Sequence, residues 1–307
     1  MTEKQKNRFF ILVQTNSTDW ALRAWRDNGI MAEIVYRPVN KLLRAIRRVW
    51  VRCHLPFQSV WYNDWKNQVK KAEIVIVHIS SLTMDVAAYI NKLNPDCKVI
   101  AWYWNVVRKN TAPNKIKGDA ELWSFDPEDC RKYNMHFNHQ YYFSSLVMKS
   151  DTIENDVYYC GSDAGRGEKL VKIYNELKEL GLKVKFRIVD PHYPGIPESI
   201  KSSYVSYEDI RADIAKSNAV VEIIRNGQSG ATLRTMEALF FGKKLITNNI
   251  KVADEDFYDM DTILIYDDQH SVELSDFINS GNPIIDCHRY EQYDFDHWLK
   301  RFVIENE

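Results

Sequence analysis

The feature that most constrains this chain of 307 residues is a series of short apolar runs, each bounded by polar turns, alternating with segments of helical periodicity. The runs fall at residues 9–13, 74–79, 99–104 and 121–125, then at 157–160, 184–189, 219–224, 244–247 and 262–266. Apolar character without alternation over so few residues fits strands buried on both faces, as in a parallel sheet. Between the runs, residues 167–180 (stopped by Gly181) and 231–241 (stopped by Gly242) repeat apolar side chains at helical spacing. This alternation predicts an α/β fold. It restarts near residue 156, after the irregular aromatic stretch 133–150, which predicts two Rossmann-like domains, 1–150 and 151–307, facing across a cleft. A ligand is then expected at the carboxyl ends of the strands.

Charge separates the same two halves. Residues 1–150 hold 23 Lys and Arg against 13 Asp and Glu, and residues 151–307 hold 18 against 29, which leaves a formal net charge of only −1. The basic half is expected to face something anionic. Five scattered cysteines without a C-x-x-C pair argue against a disulfide framework and a zinc site, and for a reducing compartment. The first apolar run is too short for the core of a signal peptide, and no run approaches the roughly 18 residues of a membrane span. The expected location is cytoplasmic, with peripheral attachment to the inner membrane face.

That attachment is expected through residues 37–54, RPVNKLLRAIRRVWVRCH, where Arg37, Lys41, Arg44, Arg47, Arg48 and Arg52 have no acid among them. Leu42, Leu43, Ile46, Val49 and Trp50 fall near helical spacing, so the segment reads as a basic amphipathic helix suited to an anionic membrane surface or an anionic acceptor. Arg44, Arg47 and Arg48 are the candidate contacts. The competing reading is a helix that packs its apolar side on the sheet and leaves its arginines in water. No nucleic-acid module accompanies the arginines, and no nucleic-acid partner is expected.

The most informative stretch is 219–249, AVVEIIRNGQSGATLRTMEALFFGKKLITNN. A strand runs into a polar loop with Gly227 and Gly230, and a helix follows. Such a loop lets a diphosphate approach backbone N–H groups at the helix start, with Ser229 or Thr232 as cap and Arg225 and Arg234 as charge. Gln228 lies in the same loop. Glu237, three residues after Arg234, is placed to accept hydrogen bonds from ribose hydroxyls, unless the two form an ordinary surface ion pair. The loop GSDAGRG at 161–167 reads as a second phosphate-approach loop with Arg166 as its contact. A dinucleotide fingerprint with Asp190 downstream is the rival there, but the glycine register is G-x-x-x-G-x-G, not G-x-G-x-x-G.

The segment GQSGATLRTMEALFFGKKLITNN resembles the donor site of GT-B glycosyltransferases, including bacterial proteins of lipopolysaccharide and capsular polysaccharide biosynthesis. The resemblance extends to WSFDPEDCRKY at 123–133 and to Asp256-Phe257-Tyr258, and covers chiefly residues 120–267. It implies transfer of a sugar from a nucleotide-sugar donor to a glycan or lipid-linked acceptor. Glu237 would match the carboxylate that binds the donor ribose, and the 227–232 loop the one facing the diphosphate. Many retaining relatives carry a second glutamate about seven residues earlier, where this chain has Gly230, so the resemblance leaves the stereochemical outcome open.

For inverting transfer a base is needed on the N-terminal side, and Asp19, in TNSTDW, and His78, at the end of IVIVH, are the candidates. Asp19 competes with a capping role and His78 with a place in the core. The DED at 254–256 and the DFD at 294–296 lie far from where a metal-binding Asp-x-Asp belongs and are expected to be solvated, so no metal and no other cofactor is expected. Two other readings stand beside the transferase: a non-catalytic nucleotide- or glycan-binding protein on the same fold, and a nicotinamide-dependent oxidoreductase.

Overall fold

The computed structural model describes residues 1–14, 19–267, 271–281 and 287–304. The chain divides into two compact units, Met1–Asn138 and His139–Glu307. The first contains α1 (Glu3–Lys6), β1 (Phe9–Val13), α2 (Asp19–Asp27), β2 (Met31–Ile34), α3 (Lys41–Arg52), α4 (Lys66–Val69), β3 (Ile74–His78), α5 (Val86–Leu93), β4 (Lys98–Tyr103), β5 (Glu121–Ser124), α6 (Pro127–Tyr133) and β6 (His136–Phe137). All six strands are parallel, in the order β2-β1-β3-β4-β5-β6. Every residue of β1 and β3 is buried, the burial on two faces that their unbroken apolar character requires.

The second unit contains β7 (Asn155–Ser162), α7 (Gly167–Glu179), β8 (Val184–Val189), β9 (Lys201–Ser202), α8 (Tyr207–Ala215), β10 (Ser217–Glu222), α9 (Leu233–Phe240), β11 (Lys244–Thr247), β12 (Ile263–Ile265), α10 (Ser271–Asn279) and α11 (Phe295–Ile304). Its sheet is again wholly parallel, in the order β12-β11-β10-β7-β8-β9. Successive residues of one strand feed opposite cores: Tyr158, Cys160 and Val220 pack on one face with Met236 and Leu239, while Val157, Tyr159, Ala219 and Val221 pack on the other with Leu170 and Ile173. Strand order reverses between β7 and β10. In a doubly wound sheet the loops leaving these two strands flank the ligand crevice.

The unit boundary lies earlier than residue 150 for a reason visible in 139–150. Tyr142 N–H donates to Tyr293 O (3.0 Å), and Phe295 N–H returns a bond to Tyr142 O (2.9 Å). Tyr141 stacks near Trp298, with ring centroids 4.2 Å apart, and Phe143 lies 4.9 Å from Phe295. Whereas 133–138 belongs to the first unit, the aromatic segment 141–143 is therefore core of the second. Asp294 of DFD holds it by accepting from Ser144 N–H (3.0 Å) and the Ser144 hydroxyl, which corrects the expectation of a solvated DFD. In DED, Asp254 and Asp256 are exposed, but Asp256 accepts from Gln292 (2.5 Å) and the Tyr293 hydroxyl. No group of metal-ligating side chains is present among the described residues.

Candidate functional site

Loop 223–232 leaves β10 at the point where the second sheet reverses its order, and leads into α9. Gly227 has φ of +80° with open space where a side chain would stand, so the turn, and not crowding, calls for glycine. Ile224 N–H donates to Asn248 Oδ1 (2.7 Å), and the Asn249 amide donates to Ser229 O (3.1 Å), which ties the loop to the end of β11. Gln228 N–H closes a turn on Arg225 O (3.1 Å). Arg225, Gln228 and Ser229 are half-buried and Gly230 is buried. Of the two proposed caps, Thr232 is the one in place: its Oγ1 accepts from Arg234 N–H (2.9 Å).

Beneath this loop lies a carboxylate that periodicity did not single out. Glu222, last residue of β10, is 3% exposed. Its Oε1 accepts from Thr235 Oγ1 (2.8 Å) and from Thr232 Oγ1, and its Oε2 accepts from Thr247 Oγ1 (2.7 Å). One buried side chain thus joins β10, the first turn of α9 and the end of β11. The sequence held a signal: an acid in the apolar strand AVVEII is costly unless it is fully bonded.

Glu237 lies one turn deeper and is only 1% exposed. Arg234 Nη1 stands 2.5 Å from its Oε2. Arg234 Nη2 donates to Cys160 O (2.6 Å), which fastens α9 to β7. Tyr207, at the start of α8, lies 2.8 Å from Glu237 Oε1 and 2.9 Å from the Tyr142 hydroxyl. A phenol has one proton; with Tyr207 donating to the carboxylate, Tyr142 donates to Tyr207. Burial raises the Glu237 pKa, opposed by Arg234 and by the Tyr207 hydrogen bond. For Arg234 burial works downward, but the facing Glu237 carboxylate holds its pKa above the ordinary arginine value. The surface-pair reading and the open ribose contact both give way here: a ribose reaches Glu237 only by displacing Tyr207 or Arg234.

The loop after β7 is likewise occupied by its own chain. Arg166 donates to Asp163 O (3.0 Å), Ser162 O (2.5 Å) and Ile223 O (2.5 Å), so its guanidinium stitches the two strands that flank the order reversal. A Cβ at Gly167 would meet Tyr193 Cβ at 2.2 Å, so the close approach there is made by a protein side chain. Asp163, 1% exposed, accepts from His192 N–H (2.8 Å) and Tyr193 N–H (2.7 Å). Burial would raise its pKa, but these backbone bonds outweigh it and hold the carboxyl below the usual range. Arg166 is thus a scaffold of the loop, with part of its five-donor fork left for a ligand.

Both base candidates lie in the first unit. Asp19 is exposed and is the first helical residue of α2, hence not its cap; residues 15–18 of TNSTDW lie outside the described residues. His78 is 5% exposed at the end of β3, with ring centroids 5.1 Å from Trp25 and 4.8 Å from Trp104. Burial lowers its pKa to about 3, and Nε2 makes no hydrogen bond. A buried imidazole of such weak basicity is a core aromatic and not a general base near neutral pH, which corrects that expectation.

Helix α3 departs from the competing reading, in which its apolar side packs on the sheet. Its inward residue is Val51, 3% exposed, with Trp50 half-buried beside it, while Leu42 (70% exposed), Ile46 (43%) and Val49 (61%) form a ridge that faces out. These three lie at i, i+4 and i+7, one face of a helix, and Val51 falls on the opposite side. The reading with apolar residues on the sheet fails, because the ridge faces out, and of the arginines it leaves in water only Arg47 is half-buried, its guanidinium 4.8 Å from the Tyr36 ring centroid and bonded to Arg37 O (2.8 Å). Arg44 and Arg48 are exposed.

No protein-family model matches the chain, and no curated protein matches it in sequence. Solved structures do match it over nearly its whole length. The Anabaena protein HepE in complex with UDP and glucose superposes with a TM-score of 0.63 at 11% identity, covering 97% of this chain and 98% of that one. Sucrose-phosphate synthase from Thermosynechococcus elongatus gives 0.57 at 8% identity, covering 97% and 99%. The lipopolysaccharide outer core galactosyltransferase WaaB gives 0.52 at 12% identity, covering 96% and 97%. With two wholly parallel α/β units, the chain has the GT-B fold of these glycosyltransferases.

Proposed function

We propose that the protein is a glycosyltransferase that moves a sugar from a nucleotide-sugar donor to a bacterial surface-glycan acceptor. The observation that carries this reading is loop 225–232, set between β10 and α9 where the second sheet reverses its order, in a chain that over nearly its whole length follows a fold also found with UDP and glucose bound. Arg225, the side chain of Gln228 and the backbone of Gly227, Ser229 and Gly230 take the diphosphate, with the two remaining donors of Arg166 across the crevice. Thr232 fixes the helix start, and Glu222 and the Arg234–Glu237 pair hold the walls. Asp19, the exposed carboxylate at the start of α2, is the proposed base. No metal takes part. The test is release of nucleoside diphosphate from a panel of nucleotide sugars, UDP-glucose included, and its loss in Arg225→Ala; a panel left wholly intact would leave only a binding protein.

The acceptor is proposed to be lipid-linked and reached from the cytoplasmic face of a membrane, because α3 presents an apolar ridge bordered by Lys41 and Arg52. No helix among the described residues is long and apolar enough to cross a membrane. Vesicles with anionic lipid are expected to sediment the protein, and Leu42→Ser with Val49→Ser to reduce the bound fraction at least fivefold without unfolding, since both side chains are already in water. Added salt should weaken binding, because exposed charges are screened over roughly 8 Å at physiological ionic strength. Equal sedimentation of the double variant and wild type would remove the ridge from the account.

A further inference from the structure

The side of α3 that bears arginines closes a cavity within the first unit. Its volume is about 290 Å³, and its lining includes Gln14 at the end of β1, Tyr36, Arg37, Arg44, Arg47 and Arg48. Four cations therefore surround one small space, and among the described residues no carboxylate is within ion-pair distance of them. The nearby acid, Asp85, is held by His54 (2.8 Å) and Gln58 (2.5 Å). Rigid parts set the geometry: the Tyr36 hydroxyl donates to Leu82 O, and Arg47 is fixed over that ring with one N–H on Arg37 O, which leaves four donors of its fork. Burial, together with the Arg44 and Arg48 charges, lowers the Arg47 pKa, with only Tyr36 acting the other way. Such a cluster lacks a counter-charge.

We propose that this cavity is a binding site for the phosphoryl group of a second ligand, a phosphate monoester or diphosphate. Its volume lies at the small end of ligand pockets, which start near 300 Å³, so it accepts a compact anionic head and not a whole nucleotide sugar. Planar guanidinium forks favour phosphoryl oxygens through paired, charge-assisted hydrogen bonds. The site stands on the first unit alone and goes beyond the transferase reading. Its ligand is either a soluble phosphate compound or the headgroup of a phospholipid, and the two share this chemistry.

The test is arginine-specific modification with phenylglyoxal, followed residue by residue by mass spectrometry on the full chain. Inorganic pyrophosphate or monomeric dihexanoyl phosphatidic acid is expected to slow modification of Arg44 and Arg48 at least tenfold relative to chloride at equal ionic strength. Protection by pyrophosphate assigns the site to soluble phosphates, and protection by the short-chain lipid alone assigns it to a lipid headgroup. In calorimetric titration, Arg44→Gln with Arg48→Gln should weaken binding of the protecting ligand at least tenfold. Protection by neither compound, or unchanged affinity in the double variant, overturns the proposal. Arg225 in the same digest reports on the second unit, so failure here is separable from failure of the donor reading.

Discussion

Glu237→Ala is expected to destabilise the second unit by about 3–5 kcal/mol, because it leaves the Arg234 guanidinium buried beside an empty site. A surface ion pair would contribute at most about 1 kcal/mol. The difference is decided by exposure: Glu237 is 1% exposed and both its oxygens are engaged, one by Arg234 and one by Tyr207. Removing both charges is expected to be milder than removing one, since Arg234→Met with Glu237→Leu strands no ion in the interior, although the bond to Cys160 O is lost. Urea unfolding of the single and double variants measures this. A Glu237→Ala loss below about 1 kcal/mol, or a double variant weaker than the single, would contradict a buried pair.

Glu222→Ala should cost on the order of 3 kcal/mol. Three threonine hydroxyls give their protons to this carboxylate, and hydrogen bonds to a charged group contribute roughly 1.5–3 kcal/mol each, part of which is recovered as the hydroxyls turn to other acceptors. Thr232 is also the cap of α9, so the helix start and the loop before it should loosen together. Glu222→Gln keeps the shape and one acceptor oxygen, while Thr247 can accept from the new amide, so its loss should be less than half as large. The same unfolding measurement checks it, with hydrogen exchange at 225–235 as the local readout. An alanine variant as stable as wild type would mean that the three hydroxyls do not depend on Glu222.

What the sequence shows and hides follows from what periodicity encodes. Strands buried on both faces, such as FFILV and IVIVH, stand out because nothing polar interrupts them. Three of the four edge strands do not: β2 reads MAEI, and β6 and β9 have two residues each, so none forms an apolar run, whereas the edge strand β12 does. The loop of 225–232 was legible from its glycines. The network under it was not, because Tyr207, which bonds Glu237, and Tyr142, which bonds Tyr207, stand 30 and 95 positions before Glu237 in the chain, and no local pattern encodes such contacts. Helical spacing revealed that α3 is two-sided, but a moment has no sign relative to the core. Only the structure tells that Val51 points in and Leu42 points out. The same holds for His78, whose place at a strand end fits a catalytic group and a core ring equally well.

The central claim, that loop 225–232 holds the diphosphate of a nucleotide donor, is tested most directly by thermal unfolding against a panel of nucleoside diphosphates, with NAD and NADP as controls. A ligand that binds only the folded chain stabilises it by about 2.7 kcal/mol at a hundred times its dissociation constant, which for a domain of this size is a rise of several degrees. That rise is expected with at least one nucleoside diphosphate and with neither NAD nor NADP, and it is expected to vanish in Arg225→Ala. A rise with NAD alone, or one that persists undiminished in Arg225→Ala, would contradict the claim.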